Sequence, residues 1–301
     1  MKMIIFFIML AAWLSHDSLN LYKFTADFAM PFQKYCENLS PHLLTHKDVH
    51  RTLLCGSPLF SGQLSHNLRQ HALIHLFIVS GGHFLFLEKF FVKVGLPQVL
   101  RIPCLIFYNF FTGFQPPGTR SLSQMILTRC AKKSSLHLRD DQLQLLCGFL
   151  LLSIFPQYCR SASFLLSWNA ALALNICSVA FFRFTGFKKI FYSQILISVI
   201  LLPWLWTFGN GHPLGILSNI IFGPFIVFVL FPLSALVILF PFLTSLFDQL
   251  TWLFEWSLQH TAVIFPQSIS QGTQLEFFWI YLFIQHLLLH WYQVSYWQEA
   301  H

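Results

Sequence analysis

From residue 71 onward the chain is a succession of apolar runs, at about 71–88, 102–114, 121–128, 143–158, 162–182, 190–208, 214–231, 233–247, 250–265 and 275–292, divided by short polar or basic turns. Runs that are apolar on every face predict helices set in lipid or wholly enclosed by protein. Several fall short of the roughly 20 residues a helical span requires, which predicts half-helices, re-entrant or interfacial pieces among about seven to nine crossings. Residues 15–70 are different: Lys23, Asp27, Lys34, Glu37, Lys47, Asp48, Arg51 and Arg69 give them ordinary polarity, as in a small external segment with short amphipathic helices. Met1–Leu14 is a lysine-led apolar run in which Trp13 follows Ala11-Ala12, a poor cleavage site, so it reads as an uncleaved anchor. The expected organisation is an N-terminal anchor plus short extracytoplasmic segment over 1–70 and a transmembrane domain over 71–301.

Where the apolar pattern breaks is more informative than where it holds. In the run His71 to Phe91 the centre is Ser80-Gly81-Gly82-His83. Each glycine costs roughly 1 kcal/mol in a helix interior, and a break at membrane depth survives only where protein or a water-filled cavity surrounds it. A second irregular piece is Gly113-Phe114-Gln115-Pro116-Pro117-Gly118-Thr119-Arg120, in which Pro-Pro-Gly is expected to force a turn and Arg120 to open a short apolar segment. A third, Arg160 to Asn169, opens a long apolar helix with small polar residues that suit close packing. Pro203, Gly209, Asn219 and Pro224 predict kinked helices further on.

Composition agrees with this pattern. The chain has 301 residues, 55% hydrophobic and only 10% charged, with 36 Phe, against about 25% charged residues in soluble domains. The reading is an all-α, polytopic transmembrane helix bundle with several broken or re-entrant helices. Basic residues cluster after the first broken segment (Lys89, Lys93, Arg101), before the 143–158 run (Arg129, Lys132, Lys133, Arg139) and after the 162–182 run (Arg183, Lys188, Lys189). Alternating spans put these clusters on one side, which the positive-inside rule makes cytoplasmic, leaving 15–70 outside. On an oxidising side Cys36 and Cys55 could pair. The remaining cysteines show no metal-binding spacing, and no cofactor is expected.

The candidate chemistry divides three ways. Ser80 and His83, three apart, could share a helical face as a nucleophile and base, but Ile78 stands where an intramembrane serine protease would carry Gly, and His260, His286 and His290 lack a diagnostic context as the distant base. His71 and His75, with His83, have ligand-like spacing without H-E-x-x-H or a nearby acid before Glu88. Interior hydrogen bonding explains these histidines more simply. Arg120 in an apolar setting should face water, carbonyls or a bound anion, unless it snorkels from its loop.

Taken in order, four elements resemble one family. His75 to His83, read His-Leu-Phe-Ile-Val-Ser-Gly-Gly-His, is similar to the His-Leu-Leu-Ala-Ile-Ser-Gly-Leu-His hallmark of the ComEC-type competence family, the inner-membrane DNA-uptake channel. Gly113, Phe114, Pro116 and Arg120 resemble its next turn. Pro156 with Ser161, Phe164, Leu166 and Ser167 resembles its Pro…Gly-Phe-x-Leu-Ser-Phe element, and Leu202-Pro203, Phe208-Gly209, Asn219 and Pro224 follow the order of its last region. Gly82 in place of Leu and Trp168 in place of Phe are departures. Full-length members add an outer OB-like domain and a metallo-β-lactamase-like domain; no His-x-His-x-Asp-His motif occurs here, so the expectation is the competence membrane domain alone, reduced or served by domains on other chains.

The resemblance implies an integral, multi-pass protein of the bacterial cytoplasmic (inner) membrane that passes single-stranded DNA during natural transformation and is not itself an enzyme. The implied partners are single-stranded DNA, the lipid bilayer and other competence proteins (a DNA receptor, a separate nuclease or helicase), and a homo-oligomer is compatible with it. His75, Ser80, Gly81 and His83 are expected along the DNA pathway, with Arg120 meeting phosphates; Gly113, Phe114, Pro116, Phe164, Ser167, Pro203, Gly209, Asn219 and Pro224 are expected to shape it. A small-solute or lipid transporter on the same fold is the alternative, and the serine protease a more distant one that Ser80→Ala would abolish outright.

Overall fold

The structure, a computed structural model, describes residues 21–41, 43–59, 62–71, 73–77, 81–134, 138–181, 184–208, 215–262 and 275–299, and every regular element among them is helical. A group of helices packed on the outside of the main body, the external group, comes first: α1 (Leu21–Asn38), α2 (Lys47–Cys55), α3 (Gln63–Gln70) and the single turn α4 (Ile74–Phe77). The body follows: α5 (Gly81–Lys93), α6 (Gln98–Phe111), α7 (Pro116–Lys133), α8 (Asp140–Ile154), α9 (Ala162–Ala180) and α10 (Gly186–Phe208). Then come α11 (Gly215–Phe225), a π turn (Ile226–Leu230), α12 (Phe231–Leu239), α13 (Thr244–Ala262) and α14 (Leu275–Glu299).

Two expectations need correction. Pro116-Pro117-Gly118 does not end a helix; it begins α7, because proline in the first turn gives up a donor that has no helical partner anyway. The turn itself is Thr112 to Gln115, where Gly113 (φ 66°) and Phe114 (φ 52°) are both left-handed. The runs at 214–231 and 233–247 are not separate helices either, since helical backbone continues from Gly215 through the π turn to Leu239. Among the described residues, Ala162–Ala180 and Leu217–Leu239 are long and apolar enough to cross a membrane, with Gln98–Phe111, Phe191–Trp204 and Phe277–Trp291 as shorter apolar helices.

Local signals explain the helix starts. Ser161 caps α9 by accepting the Phe164 N–H at 3.3 Å. Asp140 and Asp141 lie at the positive end of the α8 dipole. Gly56, at φ 68°, closes α2 in the left-handed conformation that glycine adopts freely.

Polar contacts divide the body into two ends. At one, the Tyr158 hydroxyl donates to the Phe114 carbonyl at 3.0 Å, the Trp279 indole N–H to the Cys159 carbonyl at 3.1 Å, and Trp204 stacks on Phe278 with centroids 3.9 Å apart. At the other, Arg129 pairs with Glu88, while Arg139 lies 3.3 Å from Asp141, which also meets His290 at 2.9 Å. Within the external group Gln33 donates to the Cys55 carbonyl at 3.2 Å, and the group docks on the first end, where Gln115 donates to the Gly56 carbonyl at 3.3 Å. A disulfide joins Cys36 to Cys55 there. Lys89, Lys93, Lys132 and Lys133 lie at the helix ends of the opposite pole.

Three apolar clusters fill the interior. One is built on Trp168, Trp204, Phe164 and Phe278 between α8, α9, α10 and α14. A second joins α2, α3 and α4 to α11–α13 through Leu53, Leu68, Phe77, Leu230 and Phe254. The third, smaller, sits between α5, α6 and α7 around Phe84, Leu105 and Leu122.

Candidate functional site

The site grows from the first turn of α5. A Cβ on Gly81 would collide with the Ser121 hydroxyl and lie 3.6 Å from Arg120 Nη2, so with Ser121 in its place glycine lets the first turn of α5 rest on α7 undisturbed. One turn further, the Phe84 ring lies over Gly118 so closely that no Cβ fits there either. These two glycines draw α5 and α7 together and carry Arg120 inward.

Arg120 is only 8% exposed. Its Nε–H donates to Ser167 Oγ on α9 at 2.9 Å, and Nη2 donates to the neighbouring Ser121 Oγ at 3.4 Å. A guanidinium has five N–H donors; these two bonds leave three without an acceptor among the described residues. No carboxylate pairs with Arg120 among the described residues. Hydroxyl partners orient the cation without neutralising it, so an interior site of positive potential remains between α5, α7 and α9.

His83, one position past the glycines, is fully buried, its ring 4.2 Å from that of Phe231. The π turn just before Phe231 widens the helix by one residue and sets the register at which α12 meets α5. Phe86 packs on the same segment, 6.1 Å from Phe228 and 5.7 Å from Phe231. On α9, Asn169 is fully buried and neither its amide nitrogen nor its oxygen has a partner among the described residues.

The external group is held to α11–α13 by two histidines wired alike. His50 Nε2 lies 2.9 Å from the Ser234 carbonyl and Nδ1 2.8 Å from Ser40 Oγ. His71 Nε2 lies 3.0 Å from the Leu258 carbonyl and Nδ1 2.8 Å from Ser218 Oγ. A carbonyl can only accept, so Nε2 carries the proton in both rings and Nδ1 accepts from the serine when the ring is neutral. Burial pulls the His50 pKa from its ordinary 6.5 to about 4, against the Ser234 carbonyl bond that raises it and with Arg51 lowering it further. Asp248 adds a third fastening by accepting the backbone N–H groups of Thr45 and His46 at 2.9 and 3.0 Å.

Of the residues singled out from sequence, the structure gathers Gly81, Arg120 and Ser167. His83 lies in the packed interior instead, against α12. His75 belongs to α4 but its side chain, together with Ser80 and Gly209, lies outside the described residues. Gly113 and Phe114 form the turn under the external group, where a Cβ on Gly113 would press on Gln33. Pro116 starts α7, Phe164 packs between Tyr158 and Trp168, Pro203 lies within α10, and Asn219 and Pro224 lie within α11. The histidines weighed as bases are engaged elsewhere: His260 with the Trp256 carbonyl, His286 with the Trp168 indole and His290 with Asp141. Sequence reasoning missed Ser121, whose only signal was a hydroxyl directly after an arginine in an apolar run. It also missed the fastening roles of His50 and His71.

Residues 56–298 match the family profile described as Competence protein. No curated protein and no solved structure matches the chain.

Proposed function

The chain belongs to the Competence protein family, and we propose that it is a multi-pass protein of the bacterial cytoplasmic membrane that passes single-stranded DNA during natural transformation. The observation that carries the membrane arrangement is the polarity of the body. The disulfide-bearing external group docks on the end marked by Phe114, Tyr158 and Cys159, while the basic residues gather at the end marked by Arg129 and Arg139. Disulfides belong to oxidising compartments and excess Lys/Arg to the cytoplasmic side. These independent rules support the same orientation, and the proline-bearing helices α10 and α11 belong to the bundle.

The chemistry needed for passage is modest. A strand crossing the bilayer needs polar backbone at the helix breaks, a cation to offset phosphate charge and aromatic faces for the bases, worth about 1–3 kcal/mol per stacked base. The pulling force and the removal of the second strand are further tasks of such uptake, and in this proposal they do not fall to residues 56–298. A strain lacking this chain should lose transformation, and re-expression should restore it. Normal transformation in its absence would refute the reading.

A further inference from the structure

We infer that Arg120, held by Ser121 and Ser167, is a phosphodiester-binding point inside the bundle, so that the protein reads the charge of the strand backbone and not its bases. The inference rests on the DNA-passage reading and deepens it. A buried guanidinium normally meets a carboxylate, because an uncompensated interior charge is costly. Arg120 has two neutral hydroxyls instead, and no acid among the described residues. The Ser167 bond fixes Nε and the Ser121 bond one Nη2 proton; among the described residues the Nη1 pair and the second Nη2 proton meet no acceptor, and a ligand would take them. Planar N–H pairs of this kind suit the two free oxygens of a phosphodiester, which an arginine takes in bidentate fashion and a lysine does not. A permanent carboxylate would neutralise the site and hold the cation shut. Serines leave it charged between successive phosphates, as a strand moving through requires.

Gly81 sets the packing around the guanidinium. Its missing Cβ lets the first turn of α5 rest against Ser121 and Arg120, so the guanidinium lies beside glycine backbone and not beside a side chain. Ser121 and Ser167 are positioning residues that act through Arg120.

The test uses the purified full chain with fluorescein-labelled dT20, its affinity followed against salt. Each phosphate contact on a single strand contributes about 0.7 to the slope of log affinity against log salt. Arg120→Gln should lower that slope by about 0.7, whereas Arg120→Lys should keep it and bind about tenfold more weakly for want of the bidentate geometry. Ser121→Ala with Ser167→Ala should weaken binding while leaving the slope intact, and this pair, with Arg120→Lys, serves if Arg120→Gln does not reach the membrane. In cells, Arg120→Gln should transform about tenfold less well, the scale of losing one charge-assisted hydrogen bond. An unchanged slope or unimpaired transformation in Arg120→Gln would overturn the inference. So would phospholipid that copurifies with the wild type, is lost in Arg120→Gln and is not displaced by dT20, since the phosphodiester would then be a lipid headgroup. Normal transformation in the deletion strain would instead remove the DNA-passage reading beneath it.

Discussion

Acid should loosen the external group through His50. The ring is fully buried, donates to the Ser234 carbonyl 184 positions away and accepts from Ser40. Its pKa falls from 6.5 to about 4 when the group is docked, chiefly through burial. Between those values the detached or unfolded state binds a proton that the docked state refuses, so docking has full strength above pH 6.5 and weakens as pH falls toward 4. At about 1.4 kcal/mol for each tenfold change, the loss across the window is about 3 kcal/mol, enough to favour detachment if the remaining contacts hold marginally. His50→Gln supplies the control, because its amide nitrogen can still donate to Ser234 and it does not titrate. Protease sensitivity or hydrogen exchange of residues 47–55, corrected for intrinsic rates, should rise steeply in the wild type below pH 6 and stay flat in His50→Gln. His46, Asp248 and Glu255 face one another nearby, so the difference between the two proteins isolates His50. Equal pH dependence in both would refute the reasoning.

Further outcomes follow from the packing. Replacing Cys36 and Cys55 by serine opens a loop of 19-residue separation and should cost about 3 kcal/mol by chain entropy, read as a lower melting temperature and as loss of the mobility shift on reduction. Gly81→Ala should destabilise by about 1–3 kcal/mol through overpacking, and Ser121→Ala in the same chain should restore most of it by removing the hydroxyl that the new methyl meets. Gly148→Ala places a methyl against the Trp168 indole and should disturb the Trp168–His286 hydrogen bond, visible as altered Trp fluorescence with a similar loss of stability. Reporter fusions after Lys133 and within 39–46 should report opposite sides of the membrane.

Much of this was legible in the chain. The helical character follows from apolar runs, and the glycines at 81 and 113 stood out because lipid tolerates no unexplained break. The close approach behind Gly81 did not show, since it depends on Ser121 from another helix. Pro116 was readable as a helix start, for proline at the first position loses nothing, yet its neighbour Pro117 suggested a turn. The unbroken passage through Ile226–Leu230 was hidden by Pro224 and Pro232, which a π turn accommodates. His50 lies in a stretch with no motif, His71 drew attention only through its ligand-like spacing to His75 and His83, and their partners Ser234 and Leu258 are 184 and 187 positions away. Such fastenings are a property of the tertiary fold, not of spacing.

The most direct test of the central claim follows a labelled donor strand into the cytoplasm. Competent cells lacking this chain should bind labelled duplex DNA at the surface yet carry no label protected from added nuclease, and re-expression should restore protected single-stranded label. Protected label at the wild-type level without this chain would contradict the account.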